Sequence, residues 1–295
     1  MIFPQYIVLF HYFRKLLLEA NRRHIDIIPL KGAHLLTSVY PPDENRGLLA
    51  DVDFLVRESD WANTIQLMID SGFIRRSVPA RAVSQHRFYE IGFYIRHGNG
   101  HAFLFEPHRQ LVQTARHPID YDAIWARSKD SSFDGAPCKR MTDDDHFLHQ
   151  VIHLFTHRFT GLPRTFRDLE LLMQNGEVDM STVVSRAGEW KCRTALWLTL
   201  TLFNSYTKKT EFAPVLNPCI NQIAPPAPVR LALTTLVSSK KGFLFAGTGL
   251  RKEEVILWPF LMDDLEQGSR FLFDYLHTRT ADIIHTLHQK SDIRQ

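Results

Sequence analysis

The sequence predicts an α+β protein, with a small mixed β-sheet domain flanked by helices over residues 1–125 and an all-helical domain over 126–295. Three observations predict it. Helical stripes alternate with short β-branched runs in the N-terminal part, and a Gly/Asn turn joins two strand-like segments near residue 98. After about Pro118 the large apolar residues recur at the three- and four-residue steps of helices. A chain of 295 residues, 44% hydrophobic and 23% charged, carries enough apolar side chains to fill two cores.

Residues 5–21 place Tyr6, Leu9, Phe10, Phe13, Leu16 and Leu17 on one helical stripe, which needs a sheet or other helices to cover it. His11, Arg14 and Lys15 interrupt the stretch, so it reads as a core helix and not as a signal or membrane anchor. Residues 25–30 form a short β-branched strand that runs into Lys31-Gly32 and then a helix over about 33–40. Tyr40-Pro41-Pro42 and Asn45-Arg46-Gly47 are loop chemistry delivering the chain into a second strand over 48–56. Ser59 or Asp60 caps a helix that Gly72 closes. Segments 87–96 and 101–109 are strands joined across His97-Gly98-Asn99-Gly100, residues that tolerate positive φ.

Asp143-Asp144-Asp145 starts a helix, and further helical patterns follow at 166–174, 180–188, 190–206, 229–237 and 270–288. Residues 213–228 contain five prolines and read as an extended connector, because proline lacks the amide donor a helix interior needs. The formal net charge of +3, with no dense Lys/Arg run, is consistent with a polyanionic substrate and too weak to imply a nucleic-acid-coating surface. Cys138, Cys192 and Cys219 are odd in number and widely spaced, which excludes a disulfide framework and a paired-cysteine metal site and points to a reducing, cytoplasmic setting.

Asp51-Val52-Asp53 inside an apolar run carries the most chemistry. Strand side chains alternate, so both carboxylates project to one face while Val52 and Phe54 pack on the other. Two buried carboxylates that close repel, and a cation between them resolves the cost; oxygen ligands on a rigid strand suit Mg²⁺, with Mn²⁺ an alternative. The bland alternative is one aspartate at a strand end facing solvent. The strand–Lys31-Gly32–helix unit argues against it, since a glycine turn into a helix N-terminus suits a phosphate.

Leu30-Lys31-Gly32-Ala33-His34-Leu35-Leu36, Tyr40-Pro41, Arg46 and Asp51-Val52-Asp53-Phe54-Leu55-Val56 together resemble the uncharacterised nucleotidyltransferase family of the DNA polymerase β-like superfamily, over roughly residues 8–175. The resemblance implies a glycine-led turn that holds a nucleoside triphosphate, an Asp-x-Asp metal pair and a third carboxylate on a later strand. Glu106 in the segment Glu106-Pro107-His108 matches the third carboxylate, with Glu90 as competitor, which gives a metal and catalytic set of Asp51, Asp53 and Glu106. Lys31, Gly32, Ala33, Arg46 and His108 become the nucleotide- and phosphate-binding set, His108 either donating to phosphate or orienting a ligand. Ala33 stands where many superfamily members have a serine.

The implied reaction is attack by an acceptor hydroxyl of a small molecule, protein or RNA on the α-phosphorus of a nucleoside triphosphate such as ATP, releasing pyrophosphate. Two other readings stay open: a catalytically degenerate nucleotide-binding module, and a histidine-metal phosphohydrolase built on His149, His153 and His157, which recur on one helical face. Gly247-Thr248-Gly249 lacks the spacing of a phosphate loop and reads as a turn.

Overall fold

The computed structural model describes residues 4–44, 46–47, 49–76, 89–98, 101–112, 117–157, 159, 162–207, 211–238, 262–264, 266–270 and 272–273. The expected turn at 247–252 and nearly all of the expected helix at 270–288 lie outside them, as do Asn99 and Gly100 of the expected hairpin turn.

Helix α1 (Pro4–Arg22) leads into β1 (Ile27–Pro29), α2 (Lys31–Ser38), β2 (Asp51–Val56), α3 (Trp61–Asp70), β3 (Ile74–Arg75), β4 (Phe93–His97) and β5 (His101–His108). The five strands form one mixed sheet in the order β1-β2-β5-β4-β3. Strand β2 runs parallel to β5 and antiparallel to β1; β4 pairs antiparallel with both β5 and β3. Alternation along β2 divides the core: Val52, Phe54 and Val56 pack towards α1 and α3, whereas Leu55 joins the core beneath the helical half. Phe13 of α1 is fully buried against Phe54 and Phe133, with ring centroids 5.6 and 4.8 Å away. Burying a side chain of that size contributes about 1.5–3 kcal/mol, so the apolar stripe of α1 covers the sheet as its spacing demands.

Helix α4 (Tyr121–Arg127) is followed by an antiparallel hairpin, β6 (Lys129–Phe133) and β7 (Ala136–Arg140), which the sequence did not announce. Its turn is Asp134-Gly135, with φ of +48° and +74°, a hairpin pair favoured for its positive φ. The hairpin packs on α1 and β1, and Phe133 and Ala136 belong to the core between α1 and the sheet. The expectation of helices alone after residue 125 is corrected to that extent.

Beyond it the described elements are helical: α5 (Asp143–Thr156), α6 (Leu162–Asn175), α7 (Met180–Glu189), α8 (Arg193–Thr207), α9 (Ala213–Gln222) and α10 (Ala227–Ser238). The acidic triplet that opens α5 fastens this lobe. Asp143 accepts the amide of Glu177, Asp144 that of Asp179, and Asp145 the forked guanidinium of Arg127 at 2.6 and 2.9 Å. Helix α9 replaces the extended connector expected there. Pro214 falls in its first turn, where no intrahelical donor is required, and the loss at Pro218 is offset by burial of Leu216 against α7 and α8. All three cysteines are free, and among the described residues no helix is long and apolar enough to cross a membrane.

Candidate active site

Asp51 opens β2 and Asp53 follows on the same face, 3% exposed. Parallel pairing sets Asp53 directly against Glu106 of β5, and Leu55 against His108, so carboxylates on two strands meet on the face turned to the helical lobe. Lys31 lies at the mouth of α2 with φ of +46°, a left-handed conformation that costs a non-glycine residue about 1–2 kcal/mol. It brings Nζ to 2.9 Å from Asp53 Oδ1, on which His108 Nε2 also rests at 2.9 Å.

Burial would raise Asp53, but Lys31 and His108 outweigh it and hold the carboxyl well below the usual range. Asp51 goes the other way: burial and the charge of Asp53 raise it. Glu106 is pushed up to about 7, by burial first and then by Asp53, Glu90 and Asp51. Acidic charge therefore exceeds what Lys31 balances. One ligand atom each of Asp53, Glu106 and His108 lie within 4.8 Å of one another, a donor set of two carboxylates and an imidazole that fits a divalent cation. Asp51 is outside this tightest group, two residues before Asp53 at the start of β2.

Gly32 is required by close approach: a Cβ there would press on Leu49 Cδ1 and stand 2.7 Å from Arg46 Nη1. Ala33 is 1% exposed and its amide already donates to Leu30 O at 3.1 Å, which leaves it no group for a phosphate. Arg46 reaches the same cavity, but its guanidinium forks onto Asp168 of α6 at 2.8 and 2.7 Å, with Tyr40 Oη donating to the same carboxylate at 2.7 Å. The expected triphosphate contact is thus a partnered one. His108 is fully buried between Asp53 and Glu90, whose carboxylate is 3.5 Å from Nδ1, a placement that suits orienting Asp53 better than touching phosphate. Glu90, the competitor to Glu106, meets the site through that imidazole.

A cavity of about 160 Å³ joins Lys31, Gly32, Asp51 and Asp53 on the sheet side to Gln150 and His153 of α5 and Arg164 and Thr165 of α6. Sequence reading had the histidine face of α5 but missed Gln150, which stands three residues before His153 and so shares its face. The other α5 histidines do not form a metal centre with it. His149 is buried, the rings of His153 and His157 lie 4.3 Å apart and tilted by 43°, and none joins the donor set found among the described residues. A larger cavity, about 450 Å³, opens at the far ends of β2 and β5, where Arg57 lies 4.4 Å over the Trp125 ring, away from the carboxylates.

Residues 4–208 match the family model described as an uncharacterised nucleotidyltransferase. The chain belongs to that family. No curated protein matches it. Among solved structures, the antibiotic-resistance factor ANT(2'')-Ia is similar at 10% identity and a TM-score of 0.42, over 64% of this chain and 95% of that one. An antigenic nucleotidyltransferase-like protein from Paracoccidioides brasiliensis is similar at 16% identity and a TM-score of 0.43, over 71% and 92%. This nucleotidyltransferase family member thus joins a mixed sheet bearing paired acids to a helical lobe that supplies the other wall of the cavity.

Proposed function

We propose that this nucleotidyltransferase moves a nucleoside monophosphate from a nucleoside triphosphate to an acceptor hydroxyl and releases pyrophosphate. The supporting observation is the register of Asp53 against Glu106 on parallel strands, with Lys31 held over Asp53. The catalytic residues are Asp51, Asp53 and Glu106; the donor group of Asp53, Glu106 and His108, with Asp51 beside it on the same strand face, would hold Mg²⁺ or Mn²⁺. Such an ion, when bound, lowers the pKa of an oxygen nucleophile and offsets charge on the phosphates.

The chain's own groups account for the remaining roles. Lys31 draws negative charge towards the cleft and keeps Asp53 ionised; His108 fixes which Asp53 oxygen faces the ligand. Gly32 lets the chain approach closely where a side chain would block it. In the transfer, the acceptor oxygen bonds to the α-phosphorus as the bond to the β-phosphate bridge breaks. The hydroxyl proton passes to Glu106, the carboxylate that faces Asp53 across the two parallel strands. The catalytic unit extends from the N-terminus through β7, because that hairpin packs with α1 and β1, and the helical unit begins at α5.

The test is pyrophosphate release from each of the four nucleoside triphosphates with Mg²⁺, and its loss in Asp51→Asn and Asp53→Asn. Full activity in either variant refutes the assignment. A second reading, a module that binds nucleotide without turnover, draws on Ala33, which offers neither a hydroxyl nor a free amide. Tight binding with no pyrophosphate release would favour it.

A further inference from the structure

We propose that Gln150 and Arg164, on the helical side of the cavity, bind the polyphosphate of the substrate across from the carboxylates, Gln150 by donating its amide N–H to a phosphate oxygen. The inference rests on the nucleotidyltransferase reading and extends it to the other lobe. Gln150 is 3% exposed, and its Nε2 has no hydrogen-bond partner among the described residues although it lines the cavity with Lys31, Asp51 and Asp53. A buried amide donor left unpaired destabilises the unliganded fold, so apolar residues are favoured at such a position unless a ligand supplies the acceptor. An anionic acceptor follows from the proposed cation: a divalent ion held by the carboxylates across the same space, with Lys31 and Arg164 at its border, calls for a phosphate oxygen.

Size narrows the ligand group. The cavity, about 160 Å³, falls below the roughly 300–1,000 Å³ of pockets that enclose a whole organic ligand. It accommodates phosphates, with the nucleoside directed outwards. Arg46 is held by Asp168, and Gln150 supplies direction inside the cavity while Arg164 stands on its exposed rim. A neutral donor suits a position so near Asp51 and Asp53, because it binds a phosphate oxygen without competing for their cation.

Tripolyphosphate with Mg²⁺ tests this without needing to know the base. Calorimetric titration of the full chain is compared with that of Gln150→Leu, Arg164→Ala and Asp53→Asn, alongside the unliganded melting temperature of each. Gln150→Leu and Arg164→Ala should each weaken binding roughly tenfold, the scale of one lost hydrogen bond to a charged group. Gln150→Leu should also melt no lower than the parent when unliganded. Wild-type affinity in both variants, with binding lost in Asp53→Asn, overturns the inference and leaves the function standing. A Gln150→Leu protein that loses unliganded stability along with affinity overturns the role of Gln150, since that is a packing defect. Failure of the parent to bind tripolyphosphate with Mg²⁺ overturns both.

Discussion

Asp168→Asn should loosen the wall of the cleft without altering any carboxylate inside it. Asp168 is 1% exposed and accepts three hydrogen bonds, two from Arg46 and one from Tyr40; the Arg46 side chain is itself only 8% exposed. Removing one partner of a buried pair strands the other charge, at a cost of about 3–5 kcal/mol. At about 2–4 °C per kcal/mol for a protein this large, the melting temperature should fall by roughly 6–20 °C. Tyr40→Phe loses a single bond to the same carboxylate and should cost about 1.5–3 kcal/mol. Calorimetry or urea titration reads both. Arg46→Met separates fastening from ligand contact: if Arg46 chiefly braces the cleft, stability and the substrate KM change together. A shift of less than about 2 °C in Asp168→Asn refutes the buried-pair argument, the expected scale being several times larger. A raised KM at unchanged stability in Arg46→Met instead makes Arg46 a direct ligand contact.

Asp51→Asn should abolish pyrophosphate release while the metal-free protein melts at or above the parent temperature, because burial and Asp53 already disfavour the charged form of Asp51. Asp53→Asn should lower it by leaving Lys31 unpaired, a contrast that thermal melts resolve. Gly32→Ala forces a methyl onto Leu49 and Arg46 and should cost about 1–3 kcal/mol of stability in urea titration, with weaker nucleotide binding. Glu106 has a folded pKa raised to about 7 from 4.5, so the folded state holds the extra proton and loses stability as pH rises through that window. Without metal, the difference between parent and Glu106→Gln should therefore widen from pH 4.5 to 7 and shrink when Mg²⁺ is added. A difference that does not change with pH contradicts the burial argument.

Much of the sheet and of the acid set could be read from local pattern. Asp51-Val52-Asp53 stood out because alternation puts both acids on one face, whereas Glu106 came from the resemblance to the family's third carboxylate, with Glu90 as competitor, and the structure sets it against Asp53. The hairpin at 129–140 did not stand out, since Lys129-Asp130-Ser131-Ser132 is polar and mostly exposed, and Phe133 and Ala136, with Cys138 packed beside them, are what reach a core. Helix α9 was hidden by Pro214 and Pro218, where tertiary burial of Leu216 overrides a local preference. Arg46 illustrates a different limit. Its position near the acids was legible, but its partner Asp168 lies 122 residues away, and no short-range pattern carries that pairing. Gln150 was invisible for the same reason: an amide on a helix gains meaning only from the strand opposite.

Where α2 meets α5, the imidazoles of His34 and His146 lie stacked 3.7 Å apart and 3° from parallel, with His149 buried close by on α5. Burial holds His34 and His149 down to about 3, and His146 well below its ordinary value, so the native protein keeps all three neutral in mild acid. The unfolded chain does not, and near pH 5 it takes up a proton at each. Unfolding in mild acid is thus a proton-absorbing reaction, with the proton-accepting groups gathered at the contact between sheet and helical lobe, so stability falls as pH drops through the ordinary histidine range.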